Sequence, residues 1–497
     1  MPGDVSPAHE DRVVTTLSES IGGPVGAHAG RRWWAPVGVL LLLTTLVMAL
    51  GMVQKSDCYR QTWSNGDTRY THMCYSDLPY LYTGRGFAEL KWPYSDDETT
   101  RSRYEVMEYP VGISYWAWGT AWVTHWLAGS PDLSTRASQP TDKLWGEPGV
   151  TKEIRLFVVV NAIGFAAIAL LACWLLAGVT RRRPWDAAAF ALSPTLLLTG
   201  LINWDLLAVV FVAGALWAWS RGRPALTGVM IGLGAATKLY PLFLLGGLLV
   251  ICWRQRRWRD LVMAVGSAVI GWVLFNLPAM VGSFHSWSSF LGGGAEQWKV
   301  FWTFNSSRGA DLGSLWLAVQ SATGHHFSPH TINVWSWALF GTWCAVVLAV
   351  GMLAPRMPRF AQLGFLIVAG FLIVNKVYSP QYVLWLLPLA VLARPRWRDQ
   401  LVWQGTEVLY FAGVWWYLAG ELAAGDGSST PFYWLMIVIR VIGQTYLIGM
   451  VLSDMYAPHR DPVAVTEDED AARAAGWVAP DGDTPQSTAI SSNVVVV

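Results

Sequence analysis

Residues 31–53 read RRWWAPVGVLLLLTTLVMALGMV, two arginines and two tryptophans ahead of an apolar run, Ala35–Val53, with no charge in it. About 18–20 apolar residues is the length that crosses a bilayer as a helix. Similar runs return at Leu156–Val179 and at Leu435–Leu452, the latter broken only by Arg440. The whole chain follows suit: 497 residues, 53% hydrophobic and only 14% charged. A water-facing protein carries roughly 25% charged residues. The 31 Trp and 17 Tyr suit side chains held at headgroup level. A formal net charge of +1 supplies no basic field, so no nucleic-acid partner is expected. The lipid bilayer is the expected surround, and the fold class is an all-α, polytopic transmembrane helix bundle.

Basic clusters orient such a bundle, because loops rich in Lys and Arg stay on the cytoplasmic side. Arg31-Arg32, Arg181–Arg183, Arg221/Arg223, Arg254–Arg259, Arg356/Arg359 and Arg394–Arg398 are therefore placed inside. Apolar runs near 186–201 and 205–220, 260–281 and 331–353, 360–375 and 380–393, and 400–422 and 431–453 pair between them. Two intervals strain the count. Residues 224–253 are too few for two full spans of about 20 residues, so a bent pair is expected with its apex at Thr237–Pro241. The run 111–128 would upset the inside placement of Arg181–Arg183 if it crossed, and is read as re-entrant. About twelve crossings result, in a plasma-membrane protein with both termini cytoplasmic. Residues 1–34 and 455–497 are read as disordered tails around a core at 35–454. Loops 54–110 and 282–330 face outward.

Cys58 and Cys74 lie in the first of those loops, where an oxidising compartment permits a disulfide; two unpaired thiols are the alternative. Cys173, Cys252 and Cys344 fall in apolar runs as ordinary buried thiols. No Walker, HExxH or paired CxxC pattern is present. His325, His326 and His330 lack nearby carboxylates or thiols and read as exposed loop histidines. No metal site and no cofactor are expected.

Chemistry must then come from polar residues at outer helix ends. Loop 54–110 carries Tyr75-Ser76-Asp77-Leu78-Pro79-Tyr80-Leu81-Tyr82, Trp92-Pro93-Tyr94 and Glu105-Val106-Met107-Glu108-Tyr109-Pro110. An ionised carboxylate among aromatics accepts hydrogen bonds and can take the proton of a sugar hydroxyl. Lys238 lies at the helix break, where an ammonium is costly unless it faces a polar cavity or snorkels to water. Asn203-Trp204-Asp205 turns one hairpin. Lys376, Tyr378 and Gln381 cluster at another outer end, and Arg308 stands in loop 282–330. Glu407, Glu421 and Arg440 are ionisable groups in or beside the last two spans.

Four of these places, Ser76-Asp77-Leu78…Tyr82, Glu108-Tyr109-Pro110, Thr237-Lys238-Leu239-Tyr240-Pro241 and Ser379-Pro380-Gln381-Tyr382, together resemble the GT-C membrane glycosyltransferases. The closer likeness is to glycosyltransferase family 87, the polyprenol-phosphate-mannose-dependent mannosyltransferases. The chain departs from the family at Tyr109-Pro110-Val111, where Tyr-Pro-Pro is usual, and at Asn203-Trp204-Asp205. The resemblance implies a polyprenyl-phosphate sugar as donor, a glycolipid or glycan as acceptor, an outward-facing site and inversion at the anomeric carbon. Asp77 becomes the expected general base, with Asp57 or Glu108 as alternatives, and Lys238 the expected contact to the leaving phosphate. Glu108, Tyr109, Asn203, Asp205, Tyr240, Arg308, Lys376, Tyr378, Gln381 and Tyr382 are the expected substrate contacts. A lipid-linked sugar flippase or transporter is the competing class. It would show repeat symmetry and mid-membrane charge, neither of which the sequence displays.

Overall fold

The computed structural model describes residues 36–180, 182–282, 296–422 and 431–466. The tail 1–34 and most of 455–497 fall outside those residues. Among the described residues every regular element is helical. In chain order the main helices are α1 (Pro36–Gln54), α2 (Leu78–Gly84), α3 (Val111–Leu127), α4 (Pro148–Val179), α5 (Leu206–Ser220), α6 (Pro224–Ala235), α7 (Leu244–Gln255) and α8 (Trp258–Gly282). They continue as α9 (Glu296–Ser307), α10 (Leu315–Thr323), α11 (Pro329–Leu353), α12 (Phe360–Val374), α13 (Val383–Ala393), α14 (Trp397–Leu418) and α15 (Pro431–Tyr456).

Among the described residues five helices are long and apolar enough to cross a membrane: Pro36–Gln54, Pro148–Val179, Trp258–Val281, Pro329–Leu353 and Pro431–Tyr456. Five shorter apolar helical stretches, Leu206–Ser220, Pro224–Ala235, Tyr240–Gln255, Phe360–Val374 and Pro380–Ala393, complete the apolar core. Twelve full-length spans are thus not what the helices provide. The run 186–201 differs most from expectation. It divides into Pro184–Ala187, Ala188–Ala191 and Pro194–Thr199. Proline has no N–H and blocks the preceding turn, and Ser193 caps the new start by accepting from the Leu196 amide. The run 111–128, by contrast, is one 17-residue helix.

Between α6 and α7 the helix breaks at Thr237–Leu239 and resumes through a tight turn at Tyr240–Phe243, as the short interval 224–253 requires. Helix α6 is held hard against α8. A Cβ on Gly228 would lie 2.0 Å from the Ala264 carbonyl oxygen, and one on Gly232 2.2 Å from that of Ala268. Small residues four apart allow such backbone contact between apolar helices.

One end of the bundle gathers arginines and carboxylates. Arg394 pairs with Asp399 and Asp454, Arg359 with Asp461, and Arg183 with Asp186 while also donating to the Pro462 carbonyl. The C-terminal chain therefore stays folded past 454, with Val463 and Ala464 buried, a correction to the expected tail. Loop 282–330 contains α9 and α10, and its residues 283–295 lie outside the described ones.

The segment 54–110 is built rather than loose. Cys58 and Cys74 form a disulfide with Cα atoms 5.8 Å apart. Arg136 reaches Glu153 of α4 through two hydrogen bonds of 2.7 and 2.9 Å, and also donates to the Ala88 carbonyl. Tyr82 of α2 donates to the same Glu153 at 2.8 Å. Both charges are almost wholly buried, at 2% and 1% exposure, so neither has water to fall back on. Removing one partner of such a pair costs about 3–5 kcal/mol, whereas removing both is far milder. Arg136→Met is expected to lower the unfolding temperature of detergent-solubilised protein strongly, and adding Glu153→Leu to recover much of it. Equal melting of Arg136→Met and wild type would remove this pair from the fold's support.

Candidate functional site

Asp77 stands just before α2 and is pinned from behind. Its amide donates to the Ile202 carbonyl at 2.8 Å, and the Ser76 hydroxyl donates to Leu201 and Ile202 at 3.0 and 3.1 Å. The carboxylate accepts from the Tyr75 hydroxyl at 2.8 Å, the Tyr109 hydroxyl at 3.0 Å and the Asn203 amide at 3.3 Å. Burial pushes this acid above the usual aspartate range, and the three donors and the charge on Lys238 pull it back only in part. It keeps a partial opening onto a cavity of about 740 Å³.

Lys238, on the broken helix, forms an ion pair of 3.2 Å with Asp205. It also lies 4.8 Å from the Tyr109 ring centroid and 5.7 Å from those of Tyr382 and Trp385. Asp205 accepts from the Trp385 indole at 2.6 Å. Trp385 is sandwiched by stacking on Tyr240 at 4.6 Å and Tyr382 at 4.0 Å.

A second group surrounds Lys376. Its ammonium donates to the Asn305 carbonyl and, at 2.6 Å, to the Asn333 side-chain oxygen. Among the described residues only these neutral acceptors meet it. Burial lowers the Lys376 pKa, and the nearby charge of Arg308 adds to it; Arg308 itself pairs with Asp311 at 2.7 Å. Two backbone bonds, Asp311 N to Lys376 O at 2.9 Å and Tyr378 N to Leu312 O at 2.8 Å, lock the two segments together.

Asp77, Glu108, Tyr109, Asn203, Lys238, Tyr240, Arg308, Lys376, Gln381 and Tyr382 all line this one cavity. Two expected contacts do not. Asp205 is fully buried beneath Lys238, and Tyr378 turns inward, donating to Glu407 at 2.9 Å with the Arg440 guanidinium 3.7 Å over its ring. Asp57 is not among the lining residues and lies 3.9 Å from His72. Glu108 is occupied by Arg85, whose guanidinium is within 3.6 Å of Glu105 as well. The sequence reading passed over Arg85, Tyr70, Trp415, Asn305 and Asn333, all of which line the cavity. His325, His326 and His330 are exposed, and no group of three metal-binding side chains occurs among the described residues.

The fold and the site define a helical membrane protein with a polar, aromatic cavity at one end of its bundle. Residues 150–375 match the model of glycosyltransferase family 87, and this match supports a GT-C-like membrane glycosyltransferase. The matched stretch runs from α4 to the end of α12 and includes the Thr237–Pro241 break. The Asp77 and Tyr109 segments and Ser379–Tyr382 lie outside it, joined to it through the cavity. No curated protein matches the chain.

The surroundings of Asp77 set an expectation for its titration. Infrared difference spectroscopy should show a protonated carboxyl, absent in Asp77→Asn, that ionises above the ordinary aspartate value of about 3.9. Tyr109→Phe deletes a donor that favours the charged form, so its midpoint should move to still higher pH. A midpoint that falls, or stays put, would mean that Tyr109 does not support this carboxylate.

Proposed function

We propose that this protein transfers a sugar, mannose in our reading, from a polyprenyl phosphate to a hydroxyl of a glycolipid or cell-envelope glycan. The observation that carries the proposal is one cavity holding both a partly exposed carboxylate and cations. Asp77 takes the acceptor hydroxyl's proton as that oxygen attacks the anomeric carbon. The bond from that carbon to the phosphate oxygen breaks with its electron pair, and the anomeric centre inverts. Polyprenyl phosphate leaves with the added negative charge, and the proton remains on Asp77. No cofactor enters this scheme.

The leaving phosphate needs positive charge placed where its own charge grows. Lys238 is already neutralised by Asp205, so its main service is to Asp77 and to the turn at 203–205. Among the described residues Lys376 meets only neutral oxygens, and it is the stronger phosphate contact, with Arg308 beside it. Phe301, Phe304, Trp337 and Phe371, which line the same part of the cavity, give the first isoprene units an apolar surface.

The outward orientation has support in charge placement. The cavity is lined by segments at 70–85, 108–110, 202–203, 238–240, 301–312, 333–337, 371–385 and 414–418. The arginines at 183, 359 and 394 belong to the other end of the same helices. With those arginines cytoplasmic, the cavity opens on the outer face of the plasma membrane, both termini stay inside, and the short helices contribute to about twelve crossings.

Transfer of labelled sugar from purified polyprenyl-phosphate donors to membrane glycolipids tests the reading. Asp77→Asn keeps the size and loses the base, and should lower turnover roughly 10²–10⁴-fold. Lys376→Met should lower turnover at saturating donor and acceptor about tenfold or more while the protein stays folded. Full activity of Asp77→Asn would remove the base assignment. A wild type that transfers no sugar from any donor, yet moves the labelled lipid across vesicle bilayers, would establish a flippase instead.

A further inference from the structure

Gln381 sits in the short helical turn Pro380–Tyr382 that leads into α13. The residue is only 6% exposed, and it lines the cavity. Its carboxamide makes no hydrogen bond among the described residues, yet neither its oxygen nor its nitrogen is among the side-chain atoms sealed away from the surface. The surface that this polar end keeps therefore belongs to the cavity. Other polar side chains of the lining are already engaged: Asn203, Lys238, Arg308 and Asn333 each have a protein partner. Gln381 is an open pair of hydrogen-bonding groups on a buried stem.

The turn is held on both sides. Upstream, the Tyr378 amide donates to the Leu312 carbonyl at 2.8 Å and fixes the segment that bears Lys376. Downstream, Tyr382 stacks on Trp385 at 4.0 Å, and its ring centroid lies 5.7 Å from the Lys238 ammonium. Lys238 in turn lies over Tyr109, whose hydroxyl donates to Asp77. Residue 381 thus falls in the chain between the lysine assigned to the phosphate and the ring that faces the Lys238–Tyr109–Asp77 group. Transfer needs the anomeric carbon between the acceptor oxygen at Asp77 and the phosphate oxygen at Lys376. The transferred sugar therefore spans this interval of the lining.

A carboxamide offers one acceptor oxygen and two N–H donors. It can serve two neighbouring hydroxyls at once, accepting from one and donating to the other. A prenyl chain has nothing for either end, and a phosphate, which only accepts, would set its charge against the amide oxygen. Resting on the glycosyltransferase reading above, we propose that Gln381 is a specificity-determining contact to the transferred sugar, hydrogen-bonded to two adjacent ring hydroxyls of the donor. Asp77 and Lys376 act on the reacting atoms whatever the sugar, whereas Gln381 selects which sugar is carried. A group placed to hydrogen-bond a hydroxyl discriminates against the analogue that lacks it.

Gln381→Met keeps the length of the side chain and removes both hydrogen-bonding ends. Short-chain prenyl-phosphate mannose and each of its singly deoxygenated forms serve as donors. Loss of either of two adjacent hydroxyls should cost wild type about tenfold more in donor kcat/KM than it costs Gln381→Met. Penalties at the other positions should match in the two proteins, and the acceptor KM should stay unchanged. Equal penalties at every position overturn the proposal, as does a raised acceptor KM with donor KM unchanged. Binding separates this outcome from that of the transferase reading. In Asp77→Asn protein, adding Gln381→Met should weaken binding of prenyl-phosphate mannose about tenfold. Binding of the unglycosylated prenyl phosphate should stay unchanged, which also shows that the site is folded. Equal loss for both ligands, or loss for neither, overturns the sugar contact. A wild type that binds the mannosyl donor without transferring sugar counts against the transferase reading, and the same two affinities still decide the role of Gln381.

Discussion

The ion pair between Lys238 and Asp205 is the interaction on which the site depends. Both side chains are nearly out of reach of solvent, at 9% and 0% exposure, and a buried charge without its partner is far more costly than the pair is valuable. The pair therefore fixes the α6–α7 break against the turn before α5. Asp205 also accepts from Trp385 at the start of α13, which stacks between Tyr240 and Tyr382. Two residues earlier, the Asn203 side chain accepts from the Asp205 amide and donates to Asp77. Four stretches remote in sequence are thus registered by one charge pair and its immediate hydrogen bonds. A lysine at a helix break is tolerable here because it has this partner and three aromatic rings around it.

The bundle keeps its charges at its two ends and uses them differently. At the arginine-rich end, Arg183, Arg359 and Arg394 are all matched to carboxylates, and the chain at 461–464 folds back over them. At the cavity end the matching is incomplete: among the described residues Lys376 hydrogen-bonds to neutral oxygens and Asp77 to neutral donors. Matched charges stabilise a fold. Groups left with neutral partners remain open to a charged or polar ligand, which fits the proposed role of the cavity end.

The sequence exposed the helices and the places where they stop, because both are local. Apolar runs, prolines and lone charges in apolar surroundings identified α1, α4 and the break at 237–241 without any knowledge of contacts, while Asp77 was singled out by the resemblance to a known family. Pairings were not legible, because they are made across the bundle. Lys238 and Asp205 were each noticed, but nothing in their spacing says that they meet. Tyr378 was grouped with its neighbours Lys376 and Gln381, yet the tight turn sends its ring beneath Arg440 instead. Tyr70 and Trp415 were hidden for another reason. In a chain with 31 Trp and 17 Tyr, one ring is indistinguishable from any interfacial aromatic until its neighbours are known. Arg85 was masked similarly, as one polar residue in a polar loop.

The position of Lys376 shows how residues without access to the cavity still determine what happens there. A lysine reaches its target on a flexible stem, so the backbone bearing it must be held. Segments 311–312 and 376–378 are joined by two backbone bonds, and both are tied down from below. Tyr410 donates to the Tyr378 carbonyl at 2.6 Å, and the Gly313 amide donates to the Tyr433 hydroxyl at 2.9 Å. Gly313 adopts φ 73°, and a Cβ there would lie 2.0 Å from the Tyr410 hydroxyl and 2.2 Å from the Tyr378 carbonyl oxygen. Only glycine fits both the backbone conformation and the space. Arg440 donates to the Gly313 carbonyl and covers Tyr378, while Tyr378 donates to Glu407. Glu407 and Arg440, which from sequence read equally as functional groups or as helix-to-helix pairing, thus act as a buried brace. They set the height and direction of Lys376, the cavity lysine that meets only neutral partners among the described residues.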